Sequence, residues 1–325
     1  MPKLTPPPEG PTRVEQERHW NAFPVRNWSK TFVLPFPVML NVAADVMDEL
    51  HFGRGGHSYI APTQFGKSTL IRYLLHAIPE RYPNMLAVRL EFEMSKNPSQ
   101  REFYRTLLRG LDPQLVLRHF LEDRRDQALA EYLALATPKS PPFIVFLVDE
   151  IQNGGALVLE WLKFFMGMLD ECGVRNAAFG FGNSGLTAAV KKVRQAHQNH
   201  LLKRYFRRVL SMPGIANRMT LSRIFRIVDW AWRWTEFGWT ISQFYFPQAF
   251  QAGWRITNES GLAWTALNTA AGAGGRGMEI GVDVVRDLLQ YYLTQFSRFD
   301  SPKWNGTSDH WDEAAKACDL SLLLD

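Results

Sequence analysis

Residues 60–71 read "IAPTQFGKSTLI". The pattern of a phosphate-binding loop, G-x-x-x-x-G-K-[ST], is met at Gly66, Lys67 and Ser68 and departs at its first position, where Ala61 stands for glycine. In such a loop, backbone N–H groups and the N-terminus of the next helix surround an anion, so small residues are needed where backbone meets oxygen. Gly66 meets that need, Lys67 is placed to reach β- and γ-phosphates, and Ser68 to offer a hydroxyl to Mg²⁺. If the position of Ala61 requires positive φ, an L-residue there costs on the order of 1 kcal/mol, which a tight loop absorbs. Read alone, "FGKST" is also an ordinary helix start with a serine near its cap.

The partner of that loop is "FIVFLVDEIQ", residues 143–152. Six apolar residues ending in Asp149 and Glu150 describe a buried strand with two carboxylates at its C-terminal end, the edge at which open α/β sheets bind ligands. Asp149 suits a metal held through water, and Glu150 a group that orients or deprotonates an attacking water. A carboxylate pair after a strand is often only a solvated turn. The loop and the pair together, with a strand and helices between them, point to a nucleotide site.

Outward from these two motifs the chain alternates. Strands are expected at "HSYIAP", "MLAVRLEFE", "FIVFLV", "AAFGFG" and "RRVLSM". Helices are expected from Gly66 to about Ala77, around 98–110 and 114–136, from about Ala156 to Cys172, and as one basic helix from about Leu186 to Leu202. Near-continuous apolar strands alternating with helices imply a parallel sheet covered on both faces. After Pro213 the pattern becomes mostly helical. The fold class is therefore α/β, a P-loop core followed by a small all-α lid. The expected organisation is an N-terminal extension over 1–44, disordered to about residue 15 and then docking on the main domain through its aromatics. A nucleotide-binding domain over 45–213, a lid over 214–296 and a polar tail with one short amphipathic helix over 297–325 follow.

Composition narrows the classes further. A 46% hydrophobic content supplies a sizeable core, and two distant cysteines, Cys172 and Cys318, fit neither a disulfide framework nor a zinc module. No apolar run reaches the length of a membrane span, and the start lacks the apolar segment of a secretory signal, so the expected location is the cytoplasm. A net charge of +5 is mild, but residues 191–208, "KKVRQAHQNHLLKRYFRR", hold seven Lys or Arg and no acid. A second basic stretch with interleaved aromatics, "NRMTLSRIFRIVDWAWRW", follows it. Each alone is often a solvated helix face; together, beside a phosphate site, they point to nucleic acid.

Three further residues or groups have open readings. Asn183, at the end of "AAFGFGN", either touches the γ-phosphate or the water, or caps the next helix. Arg204, Arg207 and Arg208 stand ahead of a strand, from which an arginine can reach a neighbouring subunit's phosphate. Arg276, after a glycine-rich stretch, either closes over the nucleotide or faces solvent.

The sequence resembles the AAA+ ATPases, and within them the TnsC/TniB group of transposition regulators. The resemblance runs through "APTQFGKST", "FLVDEIQ", "FGFGNSG", "LLKRYFRRVLSMPGI" and "AGGRGMEIGVDVV", from roughly residue 45 to 290. It implies an α/β domain with a helical lid, ATP bound between subunits, and assembly as rings or helical filaments on double-stranded DNA. It further implies partners: a target-selecting protein and a DDE-type transposase. By the same resemblance Lys67, Ser68 and Thr69 match the phosphate loop, Asp149 and Glu150 the metal and water carboxylates, Asn183 the first sensor, Arg204 the finger and Arg276 the second sensor. Ala61 and the crowded cluster "KRYFRR" are departures. DNA contact then falls to inward-facing basic residues, with Lys191, Lys192 and Arg194 the richest set, and such binding weakens steeply with salt. The alternatives are a helicase-loader-like DNA-remodelling ATPase and a nucleotide-gated scaffold with little hydrolysis. A transposase contact by Ser301–Asp325 is a further expectation.

Overall fold

The computed structural model describes residues 9–23, 34, 36–117, 124–272 and 279–318. The chain divides into two units, Met39–Met212 and a helical unit made of Met1–Val38 with Pro213–Asp325. Helix α1 (Arg13–His19) belongs to the helical unit, and α2 (Pro37–His51) leads into the α/β unit.

The α/β unit is a five-stranded sheet in the order β2-β3-β4-β1-β5, formed by β1 (His57–Ile60), β2 (Met85–Glu91), β3 (Phe143–Asp149), β4 (Arg175–Gly182) and β5 (Arg208–Ser211). Every pairing is parallel. Strand β3 is buried at all seven positions, as its apolar run requires of a strand with neighbours on both sides. Between the strands lie α3 (Lys67–Arg81), α4 (Gln100–Leu111), α5 (Arg124–Ala136), α6 (Gly155–Glu171), α7 (Gly185–Gln195) and α8 (Asn199–Tyr205). Ser99 begins α4, its hydroxyl accepting the Glu102 N–H at 3.3 Å.

The single basic helix expected over 186–202 is two. The α7 helix ends with His197 in the left-handed region at φ 55°. The Gln198 N–H donates to the Val193 carbonyl and the His197 N–H to that of Arg194, the paired bonds of a Schellman ending. A histidine in place of the usual glycine hides this stop from a sequence pattern. Beyond it, Tyr205 fixes α8. Its hydroxyl donates to the Leu159 carbonyl at 3.1 Å, and its own carbonyl accepts from buried Ser58 at 2.7 Å.

The helical unit contains α9 (Arg218–Arg226), a π-helical turn (Ile227–Ala231), α10 (Ile241–Tyr245), α11 (Pro247–Gln251), α12 (Ser260–Ala270), α13 (Val282–Phe296) and α14 (Ser308–Lys316). Two expectations change here. The extension expected over 1–44 is divided: residues 9–23 pack within this unit, and residues 39–44 belong to the α/β unit. Phe23 is buried and stacks on Phe244 at 3.8 Å, with Trp232 and Trp234 edge-on to it. Order also begins before residue 15, because Thr12 and Glu15 form a capping box for α1; residues 1–8 lie outside the described residues. Trp232 and Trp234 of "IVDWAWRW" thus pack against Phe23.

The C-terminal helix, in turn, is not a detached end. Trp311 on α14 is fully buried and stacks on Tyr292 at 3.8 Å. Both answer to one buried carboxylate: Glu259 accepts from Trp254 Nε1 (2.6 Å), Tyr292 Oη (2.6 Å), Gly306 N–H (2.7 Å) and Trp311 Nε1 (3.0 Å). Four donors compensate the cost of burying that charge, and none of them survives burial alone. Substituting Glu259→Ala should therefore cost the helical unit about 3 kcal/mol or more, read as an earlier urea transition in tryptophan fluorescence.

Candidate functional site

The parallel register brings three strand ends to one edge. Ile60 lies opposite Gly182 on one side and Ser211 on the other, while Asp149 lies opposite both Glu91 and Phe181. The loop after β1 is tied across this edge by the Ala61 N–H, which donates to the Gly182 carbonyl at 3.0 Å.

Ala61 is buried and is not among the residues with positive φ. The left-handed positions of the loop are Gln64 (φ 68°) and Gly66 (φ 81°). The glycine that the pattern lacks is thus not needed for backbone conformation, and the strain the sequence assigned to Ala61 falls on Gln64. Gly66 starts α3 with no side-chain cap, so the amides of the first turn, at Lys67, Ser68 and Thr69, are not answered by a capping residue. Lys67 is buried, and its Nζ donates to the Ala61 and Pro62 carbonyls at 3.0 and 3.2 Å. The Thr69 hydroxyl accepts from Arg72 at 3.3 Å.

Ser68 Oγ and Asp149 Oδ2 approach to 3.5 Å. A hydroxyl and a carboxylate converging beside an uncapped helix start form an oxygen donor set suited to Mg²⁺, which keeps waters and phosphate oxygens as its other ligands. Among the described residues no group of three or more His, Cys, Asp or Glu could hold a metal on its own. The donor set therefore fits a cation carried in with a phosphate better than a resident ion.

Glu150 stands in the left-handed region at φ 51°, a strained backbone for a non-glycine residue. Its N–H donates to Asp149 Oδ1 at 3.1 Å, and its carboxylate accepts from Gln152 Nε2. Asn183 follows β4 directly, and its Oδ1 accepts the Gly185 N–H at 2.9 Å. The capping reading is thus realised by one end of the side chain, with the amide Nδ2 as its remaining donor.

The arginine cluster is sorted by its partners. Arg204 pairs with Asn176 Oδ1 at 3.1 Å and Asp170 at 3.6 Å. Arg207 pairs with Glu49 at 2.6 Å and donates to buried His57 Nε2 at 2.9 Å. Burial holds the His57 imidazole below its usual pKa, against the opposing pull of Glu49 and Asp45. Arg208 is exposed on the edge strand β5, and its side chain makes no hydrogen bond or ion pair among the described residues. Lys191, Lys192 and Arg194 are exposed on α7 and likewise unpaired among the described residues. Arg276 lies outside the described residues.

Two residues at this edge were given no role by sequence reasoning. Gln152 was quoted in "DEIQ" without one, and its signal is a polar residue one turn from the carboxylates. Arg89 donates to Asp149 Oδ2 at 2.8 Å, and its only sequence signal is a charge inside the strand "MLAVRLE". Gly182 makes room for Gln152, since a Cβ there would stand 2.4 Å from Gln152 Oε1. Gly182→Ala is expected to displace Gln152 from Glu150 and to destabilise the α/β unit by about 1–3 kcal/mol, measured by chemical denaturation.

Comparison with known proteins supports this architecture. Residues 52–181 match a protein-family model described as an AAA domain. No curated protein sequence matches the chain. Among solved structures, the Aeropyrum pernix ORC2 protein in its ADPNP–ADP complexes is similar at 14% identity and TM-score 0.52, covering 90% of this chain and 71% of that one. The Aeropyrum pernix ORC1 protein in complex with DNA is similar at 12% identity and TM-score 0.51, over 88% and 68%. Drosophila ORC bound to AT-rich DNA and Cdc6 is similar at 11% identity and TM-score 0.51, over 90% of this chain and 45% of that one. At these identities the likeness is one of fold. No helix among the described residues is long and apolar enough to cross a membrane. The chain has an AAA+ fold, a P-loop core on a parallel five-stranded sheet followed by an all-helical region.

Proposed function

We propose that this chain is an ATP-dependent, DNA-binding AAA+ regulator of DNA transposition, which oligomerises on double-stranded DNA and links a target selector to a transposase. The observation that carries the nucleotide reading is the convergence of Lys67, Ser68, Asp149, Glu150 and Asn183 at one sheet edge. The transposition reading rests on the family-like stretches from "APTQFGKST" to "AGGRGMEIGVDVV".

In this reading the first-turn amides of α3 and Lys67 hold the phosphates, with Ala61, Gly66 and Thr69 shaping the loop, and Ser68 and Asp149 hold Mg²⁺. The metal, when bound, supplies neutralisation of phosphate charge. Glu150, steadied by Gln152, orients the attacking water, and the Nδ2 of Asn183 is the donor directed to it or to the γ-phosphate. Arg276 is the second sensor, in a lid taken as 214–296 beside a nucleotide domain taken as 45–213. Lys191, Lys192 and Arg194 supply phosphate contacts to DNA without reading sequence. The cytoplasm remains the assigned location.

A finger must leave its own subunit to reach a neighbour's phosphate. Arg204 and Arg207 are each paired within the chain, and the Arg208 side chain has no partner among the described residues, so Arg208 takes precedence over Arg204 in that role. Arg208→Ala should cut assembly-dependent hydrolysis by roughly 10³-fold or more, against a much smaller loss for Arg204→Ala, in a steady-state phosphate-release assay. The reverse order would return the role to Arg204.

A helicase-loader-like DNA-remodelling ATPase is the second reading, favoured by the fold likeness to the ORC proteins. Selective capture of a transposase by DNA-bound assemblies separates the two. A nucleotide-gated scaffold with little hydrolysis is a further alternative, to which Ala61, whose backbone is not left-handed, lends little support. Sedimentation with duplex DNA tests the central claim. Assemblies should require ATP and be lost in Lys67→Ala, and should persist longer in Glu150→Gln; indifference to both substitutions would remove the nucleotide-dependent mechanism.

A further inference from the structure

The carboxylate assigned to the metal already has a cation. Arg89 Nη2 lies 2.8 Å from Asp149 Oδ2, the same oxygen that faces Ser68 Oγ at 3.5 Å. That nitrogen also lies 3.1 Å from Glu91 Oε2. Arg89 and Glu91 are two apart on β2, so their side chains share one face of the sheet, and Glu91 is opposite Asp149 in the register. One guanidinium is therefore shared between a buried carboxylate, 3% exposed, and a solvent-facing one, 60% exposed. The Arg89 Nε is buried and has no hydrogen-bond partner among the described residues. The guanidinium is thus held by one of its ends, and its planar fork is not used for a bidentate lock on either acid.

Resting on the nucleotide reading above, we propose that Arg89 is the counter-ion of the metal carboxylate before nucleotide arrives, and that Mg²⁺ enters by displacing the guanidinium from Asp149 onto Glu91. A buried carboxylate with no cation nearby is costly, and Arg89 removes that cost in the metal-free site. A divalent cation held by Asp149 would repel the guanidinium beside that carboxylate, and Glu91 offers it an acceptor it already touches. The exchange moves no backbone. Its consequence is an affinity for Mg²⁺ set below that of a carboxylate with no competing cation, so that metal enters with the nucleotide phosphates and not ahead of them.

The test uses the full chain with a fluorescent ADP analogue and titrates Mg²⁺ into the preformed complex, reading the fluorescence change and not turnover. Arg89→Gln should lower the half-saturating Mg²⁺ concentration by about tenfold. Glu91→Gln should raise it severalfold, because the displaced guanidinium loses its acceptor. The double variant discriminates transfer from simple charge: the effect of Glu91→Gln should vanish in the Arg89→Gln background. An unchanged or raised Mg²⁺ requirement in Arg89→Gln, or fully additive effects, overturns the proposal. If Arg89→Gln does not fold, Glu91→Gln decides, and an unchanged requirement there overturns it equally. Lys67→Ala separates the two levels of inference. Metal-free analogue binding that survives Lys67→Ala unweakened refutes the nucleotide site itself, whereas weakened binding with Arg89-independent metal entry refutes the exchange alone.

Discussion

Everything at the candidate site depends on parallel hydrogen bonding that holds β1, β4 and β3 side by side. Because all these strands run the same way, their C-terminal ends share one edge, and Ala61, Gly182 and Asp149 leave the sheet as neighbours despite their separation in sequence. A slip of one residue in β3 would turn Asp149 to the opposite face and put an apolar residue in its place. The fully buried strand, apolar at six consecutive positions, resists that slip less by alternation than by the packing of both faces. The chemistry of the site is thus a consequence of register.

A second constraint is electrostatic. Asp149 and Glu259 are both buried carboxylates, and the two halves of the chain handle them differently. Glu259 is surrounded by neutral donors, four hydrogen bonds from side chains and backbone, and has an architectural use. Asp149 is shared among a hydroxyl, its neighbour's amide and a guanidinium, none of which closes around it. A carboxylate satisfied by many fixed neutral donors has no reason to accept a metal; one balanced by a single exchangeable cation does.

Much of this was legible in the sequence, because the signals were local. A strand of six apolar residues ending in two acids, and a Gly-Lys-Ser triplet at a helix start, are short patterns whose physics needs no distant partner. What escaped depended on contacts across the fold. The break at His197 looked like continuous helix because a histidine, not a glycine, adopts the left-handed turn. Arg89 resembles any charge within a strand; only the pairing of β2 with β3 lets its side chain reach Asp149. The aromatics of the N-terminal extension have partners, Trp232 to Tyr245, that lie far from them in the sequence. Trp311, Tyr292 and Glu259 are dispersed in the sequence, and no window of it contains them together.

The helical unit gathers residues 9–23 with residues beyond 212, while the α/β unit is one uninterrupted stretch between them. During synthesis the order of completion is therefore fixed. The sheet has all its strands once residue 211 has emerged, but Glu259 has its full set of donors only when Trp311 has left the ribosome, near the end of the chain. Phe23 likewise has the surface it packs against only after Trp232, Trp234, Phe244 and Tyr245 have emerged. Until then the aromatic segment around Phe23 is apolar surface open to a nascent-chain chaperone.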